Sequence, residues 1–323
     1  MVNYSYSYSH RHPESTAIPS EHMASLESED LRIPVYASRL DWGDAVEAHL
    51  DQLLVTCATC SAKPVNPLRC AACQCVAYCG VACQRTHWSA RHKRECKILA
   101  AKNFHYIHGL AGTNPSAAFD AGVMLERGLG TAPDAAKALV LYREVVAKTD
   151  GKCISAHVQI GHILNVGAAG VARDLPGSAR AFLRAAELGD HVGAINYGLF
   201  CVYGKGVRVN GVDALHWLQF AVDVIDKPND PLTVKAHYEM GRVHLFGIGG
   251  AIIDERKAER CFVLAADAGD AESAYSLVGL LGMGGPTESG RIDMRAARTW
   301  AKRAIKLGKD AREVNELLEA MNC

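Results

Sequence analysis

The chain has no excess of charge of either sign: 35 lysines and arginines stand against 35 aspartates and glutamates in 323 residues. With no field of one sign over the whole molecule, nothing general draws it to nucleic acid or to an anionic membrane, so partners must be inferred locally. It has no run of about 18 uncharged apolar residues, which argues against a membrane-spanning helix. The opening MVNYSYSYSHRHPEST also lacks the apolar core of a secretory signal. The expectation is a soluble intracellular protein of cytoplasm or nucleus, without a membrane partner. What the chain does have is cysteine, twelve in all, eight of them between Cys57 and Cys96. Thiols in a reducing compartment serve metal more readily than disulfides.

Residues 1–30 alternate tyrosine and serine among scattered charges and offer little to bury, so they read as a disordered tail in which His10 and His12 are solvated. Residues 31–56 are an acidic lead-in. There DAVEAHLDQLL sets Ala45, Val46, Leu50, Leu53 and Leu54 near helical spacing and predicts a short helix.

Beyond residue 110 the chain repeats. A marker glycine recurs at Gly122, Gly161, Gly198, Gly241 and Gly279, spaced 37 to 43 residues apart. A period of this size decides the architecture before local propensity does. After each marker comes a glycine-bearing turn and then an N-cap residue, Asp134, Asp174, Asn210, Asp254 or Asp293, whose side-chain oxygen suits the free N–H groups of a helix's first turn. Four residues past each cap stands a small side chain (Ala138, Ser178, Ala214, Ala258, Ala297) that lets helices approach closely. Eight past it stands a larger one (Tyr142, Phe182, Leu218, Phe262), with Ala301 the exception. Gly189, Gly269 and Gly308 sit where a left-handed stop belongs. Each unit therefore reads as two antiparallel helices.

The pattern resembles Sel-one-like repeats, helical-hairpin relatives of tetratricopeptide arrays, over about residues 112–310. Five units are expected there, followed by a C-terminal capping helix at 311–323. The third unit lacks its stop glycine and carries VIDKPNDPL instead, an insertion expected to form a loop on one face. His157 and His162, five apart, do not have the spacing of a helical metal pair, and His237 and His244 lie in a repeat helix, so all four read as scaffold. Trp217 and Trp300, each seven past a cap, read as packing.

The cysteine-rich stretch is ordered Cys57-x2-Cys60, Cys70-x2-Cys73, Cys79-x3-Cys83 and His92-x3-Cys96. Pairs two to four residues apart let one turn supply two corners of a zinc tetrahedron, so four pairs make two sites closed to water, which are structural rather than catalytic. The order and spacing, with YCGVACQRTHWSARHKREC, resemble the MYND finger. That resemblance implies interleaved ligation, with Cys57, Cys60, Cys79 and Cys83 on one zinc and Cys70, Cys73, His92 and Cys96 on the other. It also implies that Gln84 and Trp88 help form a shallow groove for short proline-containing peptides. Cys75 reads as a spare thiol, and His87 as a surface neighbour of His92. Some 40 residues with few large apolar side chains need the metal to fold.

Residues 57–102 hold eight lysines and arginines against Glu95 alone. Seven thiolates on two Zn²⁺ leave a net charge of roughly minus three, which much of this positive charge offsets. Nucleic-acid binding is therefore disfavoured. A SET and MYND lysine methyltransferase needs a catalytic core around its finger, for which 56 preceding residues and a repeat array leave no room. The reading is a mostly α protein in which a small two-zinc cross-brace finger at 57–96 joins an α/α solenoid through a connecting helix at 97–111. It acts as a non-enzymatic scaffold with protein partners and no small-molecule substrate.

Overall fold

The computed structural model describes residues 56–63, 65, 67–71, 73, 75–283 and 292–321. The expected N-terminal tail, the lead-in helix before residue 56 and the last two residues of the chain lie outside them.

The described chain is mostly helical. A two-stranded antiparallel ladder, β1 (Leu68–Arg69) with β2 (Ala77–Tyr78), precedes α1 (Val81–His87), a π-wound turn at Trp88–His92 and the long α2 (Lys93–Leu110). Five hairpins follow: α3 (Pro115–Arg127) with α4 (Ala135–Lys148), α5 (Ile154–Val166) with α6 (Leu175–Glu187), α7 (His191–Tyr203) with α8 (Gly211–Ile225), α9 (Pro231–Phe246) with α10 (Glu255–Asp267), and α11 (Ala271–Met283) with α12 (Met294–Lys306). Helix α13 (Ala311–Ala320) packs on α11 and α12 and closes the array.

The caps explain where the second helix of each hairpin begins. Asp134, Asp174, Asp254 and Asp293 each accept the backbone N–H three residues on at 2.8–2.9 Å, and Asn210 accepts from Val212 and Asp213. Each such bond satisfies a donor that the helix itself leaves free and contributes about 1 kcal/mol. Four of the first helices and the closing helix use the same device: Asn114, Asp190, Asp230, Asp270 and Asp310 cap α3, α7, α9, α11 and α13, whereas α5 starts after Cys153 without a side-chain cap. The stop glycines Gly189, Gly269 and Gly308 have φ of +96°, +105° and +106°. In the third unit Asp226 takes a left-handed φ of +46° as the terminator of α8, and the inserted residues loop over to Asp230 and Pro231.

Packing follows the same register. Ala138, Ser178, Ala214, Ala258 and Ala297 are fully buried, as are Tyr142, Phe182, Leu218 and Phe262. The marker glycines lie under those large side chains. A Cβ added at Gly122, Gly161, Gly198 or Gly241 would come within 2.6–2.9 Å of Tyr142, Phe182, Leu218 or Phe262. Absence of a side chain at these points is what lets the paired helices close.

Two residues before each marker glycine the first helices carry Asp120, Gln159, Asn196, Glu239 and Leu277, all buried. Glu239 is held by Lys235, Arg242 and the Tyr203 hydroxyl at 2.6–2.9 Å. Burial pushes its carboxyl upward, but the two cations outweigh burial and hold it below the usual range. Asp120 has no such support: its Oδ2 is buried without a hydrogen-bond partner, and burial pushes its carboxyl up to about 7. The folded state therefore holds this proton across a range where the unfolded chain has lost it, and stability from this site falls as pH rises from about 4 to 7. Three pKa units correspond to on the order of 4 kcal/mol. Asp120→Asn should exceed the parent in thermal stability by more at pH 8 than at pH 5. Parallel melting curves at the two pH values would discount the carboxylate.

The finger is clamped to the first hairpin. Cys96 and Ala100 of α2 face the finger's core, while Ile107, further along the same helix, joins Ala77 of β2 in the core of the first repeat. Asn103 Nδ2 donates to the Cys73 carbonyl at 3.3 Å, and Lys148 Nζ donates to the carbonyls of Ala111 and Gly112. Gly130, with φ of +75°, lies so near the Ala100 carbonyl that no Cβ would fit. One helix thus carries both zinc-site residues and solenoid core.

Candidate metal centre

Short turns deliver the cysteine pairs. The Cys57 carbonyl accepts from Ser61 N–H, and the Cys57 N–H donates to the Ala62 carbonyl, closing the first turn. The bond from Cys70 N–H to the Val76 carbonyl closes the second, at the end of the β ladder. Cys79 precedes α1 and Cys83 lies in its first turn. His92 and Cys96 are one turn apart across the junction of the π-wound segment and α2. The Ala58 N–H bond to the Ala77 carbonyl and the Thr59 hydroxyl bond to the Cys83 carbonyl hold the first turn against the rest.

Two tetrads result: Cys57, Cys60, Cys79 and Cys83, and Cys70, Cys73, His92 and Cys96. Within each, all ligand atoms lie within 4.8 Å of one another. Cys60 and Cys79 sulfurs are 3.6 Å apart, Cys79 and Cys83 3.5 Å, Cys70 and Cys96 3.8 Å, and Cys73 Sγ lies 3.5 Å from His92 Nε2. A tetrahedron with Zn–S bonds near 2.3 Å has edges of about 3.8 Å, so the residues fit two structural zinc ions. The second tetrad is wholly buried and the first is partly exposed. Both lack an open corner for a reacting water.

The protein alone makes some of these thiols poor acids. Cys79 is pushed up to about 12, first by its contact with the Cys83 sulfur and then by Cys60 and Cys57. Cys96 is pushed to about 12 by burial and by the sulfurs around it. Cys57 goes the other way, drawn down to about 5 chiefly by the Cys60 N–H. Four sulfurs gathered this closely cannot all ionise without a cation among them, and a dication supplies what the backbone does not.

Cys75 lies outside both tetrads, with its thiol directed at the carbonyls of Cys73 and Leu99. His87 shares a 3.1 Å hydrogen bond with the fully buried Tyr78 hydroxyl and stacks on His92, the ring centroids 5.5 Å apart at 13°. Tyr78 and His87 thereby support a ligand; the stack is set by the π-wound turn, which brings residues five apart onto one side and which ordinary helical spacing does not lead one to expect. Trp88 meets the same His92 edge-on at 5.7 Å and remains 40% exposed. Gln84, one helical turn earlier, is half-buried. In the solenoid, His157 Nε2 bonds the Gly151 carbonyl, and His162 sits edge-on to Phe182, so neither joins a metal cluster.

This combination of paired cysteine tetrads and stacked helical hairpins defines a zinc-binding protein-interaction scaffold. Its parts are known modules: residues 57–96 match the MYND finger, and residues 115–144, 191–223, 234–270 and 273–309 match the Sel1 repeat. The matched repeats number four, whereas the structure shows five hairpins, the additional one being α5 with α6. Over 46 residues the chain is 48% identical to SET domain and MYND-type zinc finger protein 6 of Schizosaccharomyces pombe. That match covers 14% of this chain and 9% of the relative, so the chain spans under a tenth of that protein's length. Among solved structures, a Sel1 repeat protein from Oxalobacter formigenes aligns with a TM-score of 0.53 at 22% identity, over 67% of this chain and 83% of its own. A protective antigen of uropathogenic Escherichia coli with an SLR fold aligns with a TM-score of 0.54 at 18% identity, over 76% of this chain and 52% of its own. These likenesses establish the fold. No helix among the described residues is long and apolar enough to cross a membrane.

Proposed function

We propose that the chain is a non-enzymatic adaptor. Its finger, held by zinc on Cys57, Cys60, Cys79 and Cys83 and on Cys70, Cys73, His92 and Cys96, receives a short proline-containing peptide at Gln84 and Trp88, while the solenoid holds a second protein. The observation that supports the groove is the setting of Trp88. Its indole is fixed on one side by His92 and open on the other, and Gln84 stands four residues away on the same helical path. A rigid, half-open aromatic ring beside an amide suits a proline ring packed on the indole and a peptide carbonyl bonded by the amide. Two docking surfaces on one chain raise the effective concentration of what they hold.

Trp88→Ala should weaken binding of a proline-containing peptide at least tenfold by calorimetry, with zinc content still two per chain. Unchanged affinity, or loss of zinc in this variant, would remove the groove assignment. The match to a SET and MYND protein reaches little beyond the finger, so nothing in it supplies a catalytic core.

A further inference from the structure

The cysteines differ in their access to solvent. Of the eleven that are described, Cys60 and Cys79 alone are exposed; Cys75, Cys83, Cys153 and Cys261 are half-buried and the rest are buried. Both exposed cysteines belong to the first tetrad, and their sulfurs lie 3.6 Å apart. The second tetrad offers no comparable pair, since Cys70, Cys73, His92 and Cys96 are all buried.

That asymmetry matters for thiol chemistry. A sulfur bound to zinc is held as a thiolate, the form that attacks an oxidant, and zinc itself is not redox-active. Thiolate character is then common to the seven ligand cysteines, so exposure decides which of them an oxidant reaches. Cys60 and Cys79 also come from different segments, the first turn and the approach to α1. Outside the tetrad those segments are joined by the Ala58 N–H bond to the Ala77 carbonyl and the Thr59 hydroxyl bond to the Cys83 carbonyl. Cys83 is as near to Cys79, at 3.5 Å, but it sits inside α1 and is less exposed.

We infer that Cys60 and Cys79 form a site of reversible oxidation by hydroperoxides, which opens the first tetrad and leaves the second closed. One of the two thiolates attacks a peroxide oxygen and breaks the O–O bond, giving a sulfenic acid and hydroxide. The other thiolate attacks that sulfur and expels a second hydroxide. Two thiolates thereby give two electrons to one peroxide and become a disulfide, with the sulfurs drawn together to about 2.05 Å. The disulfide offers no anionic donor, so only Cys57 and Cys83 remain in a site that needs four. It also takes over the link between the first turn and α1, which keeps Cys57 and Cys83 near each other for reassembly once a dithiol reduces the bond. Helix α2, whose Cys96 belongs to the second tetrad, keeps its hold on finger and solenoid throughout.

The test uses the full chain loaded with two zinc ions, treated with hydrogen peroxide at neutral pH while a colorimetric chelator reports free zinc, against the same mixture without peroxide. One ion per chain should be released, at a rate roughly tenfold or more above that of the second. Alkylation followed by digestion should yield a Cys60–Cys79 disulfide, and amide protection across residues 93–103 should be unchanged. Dithiothreitol with one equivalent of zinc should restore two ions per chain. Cys75→Ser should respond to peroxide as the parent does, since the half-buried Cys75 thiol faces the carbonyls of Cys73 and Leu99 and is not the group oxidised. Release of both ions together, a disulfide joining Cys73 to Cys75 or Cys79 to Cys83, or retention of both ions under conditions that fully oxidise free cysteine would overturn the proposal.

Discussion

Stripping zinc from the full chain with a chelator at neutral pH should abolish amide protection from Cys57 to about Ala100 while the later hairpins keep a cooperative transition. The finger's core consists of Cys57, Cys70, Cys73, Tyr78, Cys96 and Ala100, so four of its six members are ligand cysteines. Without metal, that core loses its cross-links and gathers thiols whose proximity raises their pKa values. Structural zinc supplies roughly 10–16 kcal/mol of apparent binding free energy in such fingers, and here little else replaces it. The solenoid has its own cores, centred on the paired helices, and no cysteine of the tetrads lies in them. The first hairpin is the exception, because Ala77 and the inner face of α2 complete its core. Exchange in α3 and α4 should therefore rise on chelation, and two equivalents of zinc should reverse both effects. Cys96→Ser should lower bound zinc, whereas Cys75→Ser should leave two ions per chain. Full protection of the finger in chelator would show that the tetrads do not hold it together.

One repeat position should respond to the same substitution with opposite signs. At Gly241 an added Cβ would sit 2.6 Å from the fully buried Phe262 ring. Gly241→Ala must shift a packed aromatic or prise two helices apart, at a cost of about 1–3 kcal/mol. At Gly279, the same point of the last hairpin, nothing lies within 4 Å, in keeping with Ala301 standing where the others have Tyr142, Phe182, Leu218 or Phe262. There alanine meets no obstruction and gains helix propensity, so Gly279→Ala should stabilise by about 0.5–1 kcal/mol. Denaturant melts of both variants decide the matter. Combining Gly241→Ala with Phe262→Ala should cost less than the sum of the two single changes, since the shortened side chain at 262 removes the ring that the added methyl would strike. A destabilised Gly279→Ala, or a neutral Gly241→Ala, would refute the packing register.

These two responses also show where sequence reading succeeds. The marker glycine, the cap, the small residue four later and the large one eight later recur within a few turns of chain, and local geometry translates such spacing directly into a hairpin. Ala301 already stood out as the exception, but its consequence at Gly279 is a property of two helices facing each other. The cysteine pairs are equally local. Their division into two tetrads was implied by family resemblance, and the clustering of ligand atoms in the fold agrees with it.

Other features required the folded chain. Asp120 and Glu239 occupy the same repeat position and are both buried carboxyls, yet one is unsupported and the other is ringed by Lys235, Arg242 and Tyr203. Lys235 and Arg242 stand one turn to either side on Glu239's own helix, at spacings the sequence shows, but nothing local reveals that Tyr203 arrives from the preceding hairpin. The burial of Ala77 in the solenoid is likewise a contact between segments distant along the chain, whereas the support of His92 by His87 depends on the π-wound turn between them.

The sequence by itself determined that this protein has metal tetrads and a five-unit helical array, because turns, caps and ligand pairs are set by neighbours a few residues apart. Only the tertiary structure decided that finger and solenoid share one helix and one core, which of the described cysteines stay exposed, and which buried carboxyl keeps its proton. Those outcomes depend on which surfaces the closed fold removes from water, and no local pattern encodes them.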